Sequence, residues 1–269
     1  MLVYLIATRL YNRRVALLAT AFSTFAVLQI QQSHFFTMDT FINFFTLLAF
    51  YFAIQVAYPE KDRAAEANNA EGAPPPPAAS GWRTIFSDPL LWLCIWFGIA
   101  LGLAVASKLN AALMAAALPA ALALRLKRIP RTDWDRYFPR ALAYLGLAAV
   151  LSVLVFRLTQ PYAFSGPGFL GISPNPKWVA QIKELAAQGA GDIDMPPSLQ
   201  WARRPITYAW ENMVNWGMGL PLGLLAWAGF LFAAWRMLKG DWQRHLLLGG
   251  WTAVYVVWWA RAFTPTMRY

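Results

Sequence analysis

"PLLWLCIWFGIALGLAVASKLNAALMAAALPAALALRLKR", residues 89–128, contains no acidic group, and Lys108 is its only charge before Arg125. An α-helix rises about 1.5 Å per residue, so a hydrocarbon layer of ~30 Å takes roughly 20 apolar residues to cross. The stretch holds two such lengths, about 89–106 and 109–126, joined by the tight turn "VASKLNA". It reads as two transmembrane helices with Lys108 at the turn between them.

The same measure applied outward finds apolar runs at about 15–33, 38–57, 138–157, 217–237 and 246–263. Residues 2–8 are apolar but too few to span, and read as the tail of a helix. The expected fold is therefore all-α: a polytopic transmembrane helical bundle of about seven spans plus a partial N-terminal one, read as a single integral membrane domain over 1–269. Composition agrees. Charged residues make up 13% of the chain, about half of what a soluble domain carries. The 14 Trp residues suit side chains at lipid–water boundaries. A soluble helical protein is excluded by the length of the apolar runs.

The formal net charge is +10, yet the basic residues sit in short loops between apolar runs, so they point to membrane orientation and not to nucleic acid. Cys94 is the only cysteine, which excludes an internal disulfide and any cysteine-pair metal site. "MLVYLIATRLYNRR" lacks the charged start and small-residue cleavage site of a secretory signal. If the segment around residues 9–14 is cytoplasmic, fifteen of the 23 Lys and Arg fall on the cytoplasmic side, most densely in "RLKRIPRTDWDR". The positive-inside rule has most force in such short loops.

The segment 58–88 includes "AEANNAEGAPPPPAASG", a Pro- and Ala-rich sequence that reads as a flexible cytoplasmic linker. "SDP" at 87–89 follows it as a helix start: a capping residue, then Pro in the first turn. One sizeable outer loop is expected at about 158–216. "TQPYAFSGPGF" should be irregular. "NPKWVAQIKELAAQG" sets Trp178, Ile182 and Leu185 at helical spacing, and predicts a short amphipathic helix on the membrane surface, ended by Gly189. It would serve as a substrate cover or as a plain connector.

With this orientation Asp39 is the only carboxylate at the outer mouth of a span. An ionisable group there is costly unless it is paired, solvated or used. Asp is also a favoured helix cap, and "TMDTF" opens a helix, so Asp39 reads as cap, as active-site acid, or as both. His34 lies five residues earlier in the same turn and suits a proton acceptor or metal ligand, or an ordinary interfacial histidine. Lys108 on the outer face runs against the charge bias, which suggests an anionic partner such as a lipid phosphate, with snorkelling to headgroups as the plain alternative. Arg261 and Arg268 reach the same face, as do Arg203 and Arg204 in the loop. One acid among several cations fits transfer of a sugar from a lipid phosphate. A base takes the acceptor's hydroxyl proton, the acceptor attacks the anomeric carbon with inversion, and cations or a divalent metal stabilise the departing phosphate.

The chain resembles the multi-spanning GT-C glycosyltransferases, the lipid-phosphate-sugar-dependent enzymes related to protein O-mannosyltransferases and aminoarabinose transferases. "HFFTMDTFINFFTLLAFYFA", "GIALGLAVASKLNAALMAAALPAALAL" and "TPTMRY" carry the resemblance. "RLTQPYAF" and "WGMGLPLGLLAWAGF" are similar to bacterial membrane proteins grouped with them. The resemblance implies a polyprenyl-phosphate sugar donor, Asp39 as the second active-site acid, and Lys108 near the lipid phosphate, joined there by Arg261 and Arg268. The acceptor would be a protein, a glycan or a lipid at the extracytoplasmic face of the cell membrane. The family's principal acid lies in a first outer loop that this sequence does not contain. The expectation is therefore of a piece of a longer enzyme, inactive alone. Two rivals stand beside it: a transporter or flippase of a lipid-linked or anionic substrate, and an assembly protein without a ligand.

Overall fold

The computed structural model describes residues 1–35, 37–59, 86–166, 171–193, 196, 200 and 202–261. Most of residues 58–88 and all of 262–269, with Arg268, lie outside the described residues. The chain is mostly helical, with short helices α1 (Leu2–Leu10), α2 (Arg13–Thr24) and α3 (Val27–Ser33) ahead of the long α4 (Met38–Ala57). Next come α5 (Pro89–Ser107), a 3-10 segment (Leu109–Ala116) that runs on into α6 (Ala117–Arg128), and α7 (Trp134–Thr159). The last third holds α8 (Pro176–Ala190), α9 (Tyr208–Asn212), α10 (Leu220–Arg236) and α11 (Trp242–Ala260). Among the described residues five helical stretches are long and apolar enough to cross a membrane, or six if the bent pair α2 and α3 counts as one span. One of the five, Leu220–Trp258, includes the turn between α10 and α11.

Burial follows the pattern of a membrane protein. On α7, Ala141, Tyr144 and Ala148 are buried, while Leu142, Val150, Val153 and Leu154 are at least half exposed. A soluble helix would carry polar residues on that second face. Here both faces are apolar, one meeting protein and the other matched to lipid.

The described chain forms two compact units, Met1–Thr20 with Phe41–Phe156, and Ala21–Thr40 with Arg157–Tyr269. The core of the first is built from Leu10, Phe50, Ile54, Cys94, Phe97, Met114 and Leu118. Its tightest seam joins α5 to α7. A Cβ placed on Gly98 would lie 2.4 Å from the Ala148 carbonyl oxygen, and one on Gly102 would lie 2.6 Å from that of Ser152. Glycines four apart on one face let two backbones approach closely. The ascending order of these contacts shows that α5 and α7 run in the same direction, with α6, between them in sequence, running the other way.

The "SDP" start holds as expected. Asp88 caps α5, accepting from the Leu90 N–H at 2.9 Å, with Pro89 in the first turn. The second carboxylate oxygen of Asp88 accepts from the Tyr144 hydroxyl at 3.1 Å and lies 4.0 Å from Arg140. One side chain thus ends a loop and fastens α5 to α7. Asp88→Ala removes both bonds and should cost about 1–2 kcal/mol. Asp88→Asn, which keeps an acceptor for the Leu90 N–H, should cost less. Denaturant unfolding of the two variants in one detergent checks this order, and equal losses would contradict it.

In the second unit, α10 and α11 form a hairpin. Gly240, with φ of 105°, supplies the left-handed turn that splits the 39-residue stretch in two. The α3 helix rests against the π-helical turn Met213–Gly217, and Gly219 approaches Val27. In the segment expected to be irregular, Phe164–Ser165 pairs antiparallel with Ser173–Pro174. The Arg157 guanidinium holds this ribbon, donating from Nε to the Gly171 carbonyl at 2.7 Å while lying 5.2 Å from the Phe164 ring centre. The amphipathic segment forms α8 with Asn175 as its cap, but Gly189 lies inside the helix. The helix ends at Gly191, whose φ of 84° is the left-handed value a C-terminal cap uses.

Candidate functional site

Asp39 is the second residue of α4, not the residue before it. It therefore lies within the helix, in the first turn, where unpaired N–H groups and the helix dipole favour a carboxylate. The turn leading in is fastened by Gln32. Its side-chain oxygen accepts from the Thr37 hydroxyl at 3.3 Å, and its carbonyl accepts from the Thr40 hydroxyl at 3.4 Å. The half-buried Asp39 carboxylate is carried between these two threonines. His34 follows the last residue of α3 and is exposed. Its Nδ1 lies 2.7 Å from the Ile30 carbonyl oxygen. A carbonyl only accepts, so Nδ1 is the donor in this contact.

Arg261 follows α11 and is exposed. Because α11 folds back along α10 and packs against α9, Arg261 returns toward the end of the hairpin where α10 begins. Val27 meets Gly219 at that same end. Val27, the first residue of α3, and Arg261 thus both lie toward the end of the second unit where α10 begins.

Lys108 belongs to the first unit. It breaks the helix between α5 and the 3-10 segment, with extended φ and ψ of −161° and 127°. Its N–H donates to the Ala104 carbonyl and its carbonyl accepts from the Ala111 N–H, at 3.0 and 3.1 Å. The side chain is half-buried at the end of the unit opposite Asp88. At the Asp88 end, the Arg128 guanidinium lies 4.4 Å from the Tyr58 ring centre. Tyr58, Asp88 and Arg128, which the charge count puts on one side, therefore lie at a common end of the first unit, with Lys108 at the other.

Among the described residues no group of three or more His, Cys, Asp and Glu side chains could hold a metal ion. One polar cluster was not foreseen in the sequence. Asp241, at the α10–α11 turn, accepts from Arg236 at 2.9 Å, with Arg244 at 4.0 Å and the His245 Nε2 at 3.6 Å. The Arg236 hydrogen bond, opposed by desolvation and aided by the other cations, holds the Asp241 carboxyl below its usual range. The spacing Asp241–His245, four residues along one helix, was the available signal. These contacts fasten the turn.

No family model, no curated protein and no solved structure matches the chain.

Proposed function

We propose that the protein is a membrane glycosyltransferase that moves a sugar from a polyprenyl-phosphate donor to an acceptor at the extracytoplasmic face of the cell membrane. The observation that carries this reading is the setting of Asp39: a half-buried carboxylate in the first turn of a 20-residue apolar helix, in a turn fastened by Gln32 and next to a histidine with an exposed ring. Asp39 takes the acceptor's hydroxyl proton or orients that hydroxyl, with His34 as a relay. The acceptor oxygen bonds to the anomeric carbon as the bond from that carbon to the phosphate oxygen breaks, and polyprenyl phosphate leaves with its electron pair. Direct displacement inverts the anomeric centre. Lys108, Arg261 and Arg268 are the cations assigned to the phosphate.

A transporter or flippase is the second reading. The 61° bend between α2 and α3 favours it, because broken helices line substrate paths in transporters. One assay separates the two. Liposomes containing the full-length protein receive donor radiolabelled in the sugar, together with a membrane extract as acceptor source. The glycosyltransferase reading expects label to leave the polyprenyl lipid and enter acceptor. Label that crosses the sealed bilayer while still attached to its lipid supports the transporter, and label that does neither removes both readings.

A further inference from the structure

The turn between α6 and α7 concentrates charge beyond what orientation requires. Arg125, Lys127, Arg128, Arg131, Arg136 and Arg140 fall within sixteen residues, against Asp133 and Asp135. Lys127, Arg128, Arg131, Arg136 and Arg140 are exposed. Two aromatic residues are exposed among them, Trp134 and Phe138, the latter 59% exposed. The Arg131 guanidinium lies 5.9 Å from the Trp134 ring centre.

Length places this turn at a particular depth. The α7 helix has 26 residues, about 39 Å, against a hydrocarbon layer of ~30 Å. No charged residue lies between Arg140 and Arg157. The surplus is therefore roughly the first two turns, Trp134 to Arg140, which stand at headgroup level. Aromatic rings favour that layer, and cations there meet lipid phosphates directly.

We propose that the α6–α7 turn is a docking surface for anionic phospholipid headgroups of the leaflet it faces, with Arg128, Arg131 and Arg136 as the phosphate contacts and Trp134 and Phe138 as the interfacial anchors. The partner is a lipid surface, because exposed aromatic side chains between the cations have no use for free phosphate. This inference stands apart from the transferase reading.

The test places the protein in nanodiscs of phosphatidylglycerol or of phosphatidylcholine and follows thermal unfolding. The wild type should unfold several degrees higher in phosphatidylglycerol, and 1 M NaCl should remove the difference. The triple variant Arg128→Gln/Arg131→Gln/Arg136→Gln should lose the difference, and in phosphatidylcholine should unfold only a few degrees below the wild type, through loss of the Arg128–Tyr58 contact. Binding of phosphatidylglycerol in mixed micelles should weaken about fivefold for each cation removed. No lipid dependence in the wild type, or a triple variant that keeps it, overturns the proposal. So does millimolar inorganic phosphate reproducing the stabilisation in phosphatidylcholine. If the triple variant is unstable in both lipids, Arg131→Gln alone decides by the micelle affinity, and an unchanged affinity is a refutation.

Discussion

On the transferase reading, Asp39→Asn in the full-length protein should reduce sugar transfer about 10²- to 10⁴-fold, the range over which a positioned proton acceptor accelerates such reactions. The change keeps the side chain's shape and removes its ability to take a proton. Its effect on stability should be small. The charge lies in the first turn of α4, where its interaction with the helix end is worth about 0.3–1 kcal/mol. The two readouts therefore separate. Turnover measured with a polyprenyl-phosphate sugar collapses, while the unfolding temperature in the same detergent shifts by no more than a few degrees. Asp39→Glu should recover part of the activity. Unchanged turnover in Asp39→Asn would reduce Asp39 to a charge that starts a helix.

Gly98→Leu should give the largest loss of stability. Even the first carbon of a new side chain would lie 2.4 Å from the Ala148 carbonyl oxygen and 2.9 Å from its Cα. Backbone cannot swing aside as a flexible side chain can, so α5 and α7 must separate along the seam that also carries Gly102. Forcing extra carbons into a filled contact costs about 1–3 kcal/mol. Gly98→Ala should lie in that range, and leucine should exceed it. Gly146 on α7 is the internal control, with nothing within 4 Å of an added Cβ. Gly146→Ala should gain up to about 1 kcal/mol from helix propensity. Denaturant unfolding of the three variants in one detergent tests the order. If Gly98→Ala unfolds with the wild type, the two helices do not pack as closely as described.

Features set by local chemistry were readable in the sequence. The apolar lengths at 38–57 and 89–106 correspond to α4 and α5 almost residue for residue, because membrane thickness sets helix length. The "SDP" start was readable because a cap and a following proline act within three residues. Features set by packing were not. Residues 15–33 carry no charge and read as one run, yet the helix breaks at Phe25–Ala26 with no proline or glycine to mark it. The sequence points to Gly189 as the end of α8, but the helix runs on to Gly191, and the backbone angle there is what marks the end. The Gly98–Gly102 spacing was visible but passed unread within a stretch taken simply as apolar. Asp39, His34 and Lys108 were each picked out by position along the chain. Which cations share an end with which acid depends on how distant helices turn back, as Arg261 shows at the end of the α10–α11 hairpin.

Leu109–Ala116 is wound as a 3-10 helix for eight residues, about twice the usual length for that winding. At ~2.0 Å per residue it reaches about 4 Å further than the same residues would as α-helix. Each residue also turns about 120° instead of 100°, which accumulates to roughly 160° over the segment. Wound as an α-helix, these eight residues would be about 4 Å shorter and turned by nearly half a turn. Rewinding them, with α6 held at its basic end, would draw Lys108 inward by that distance and swing it to the opposite side of the rod.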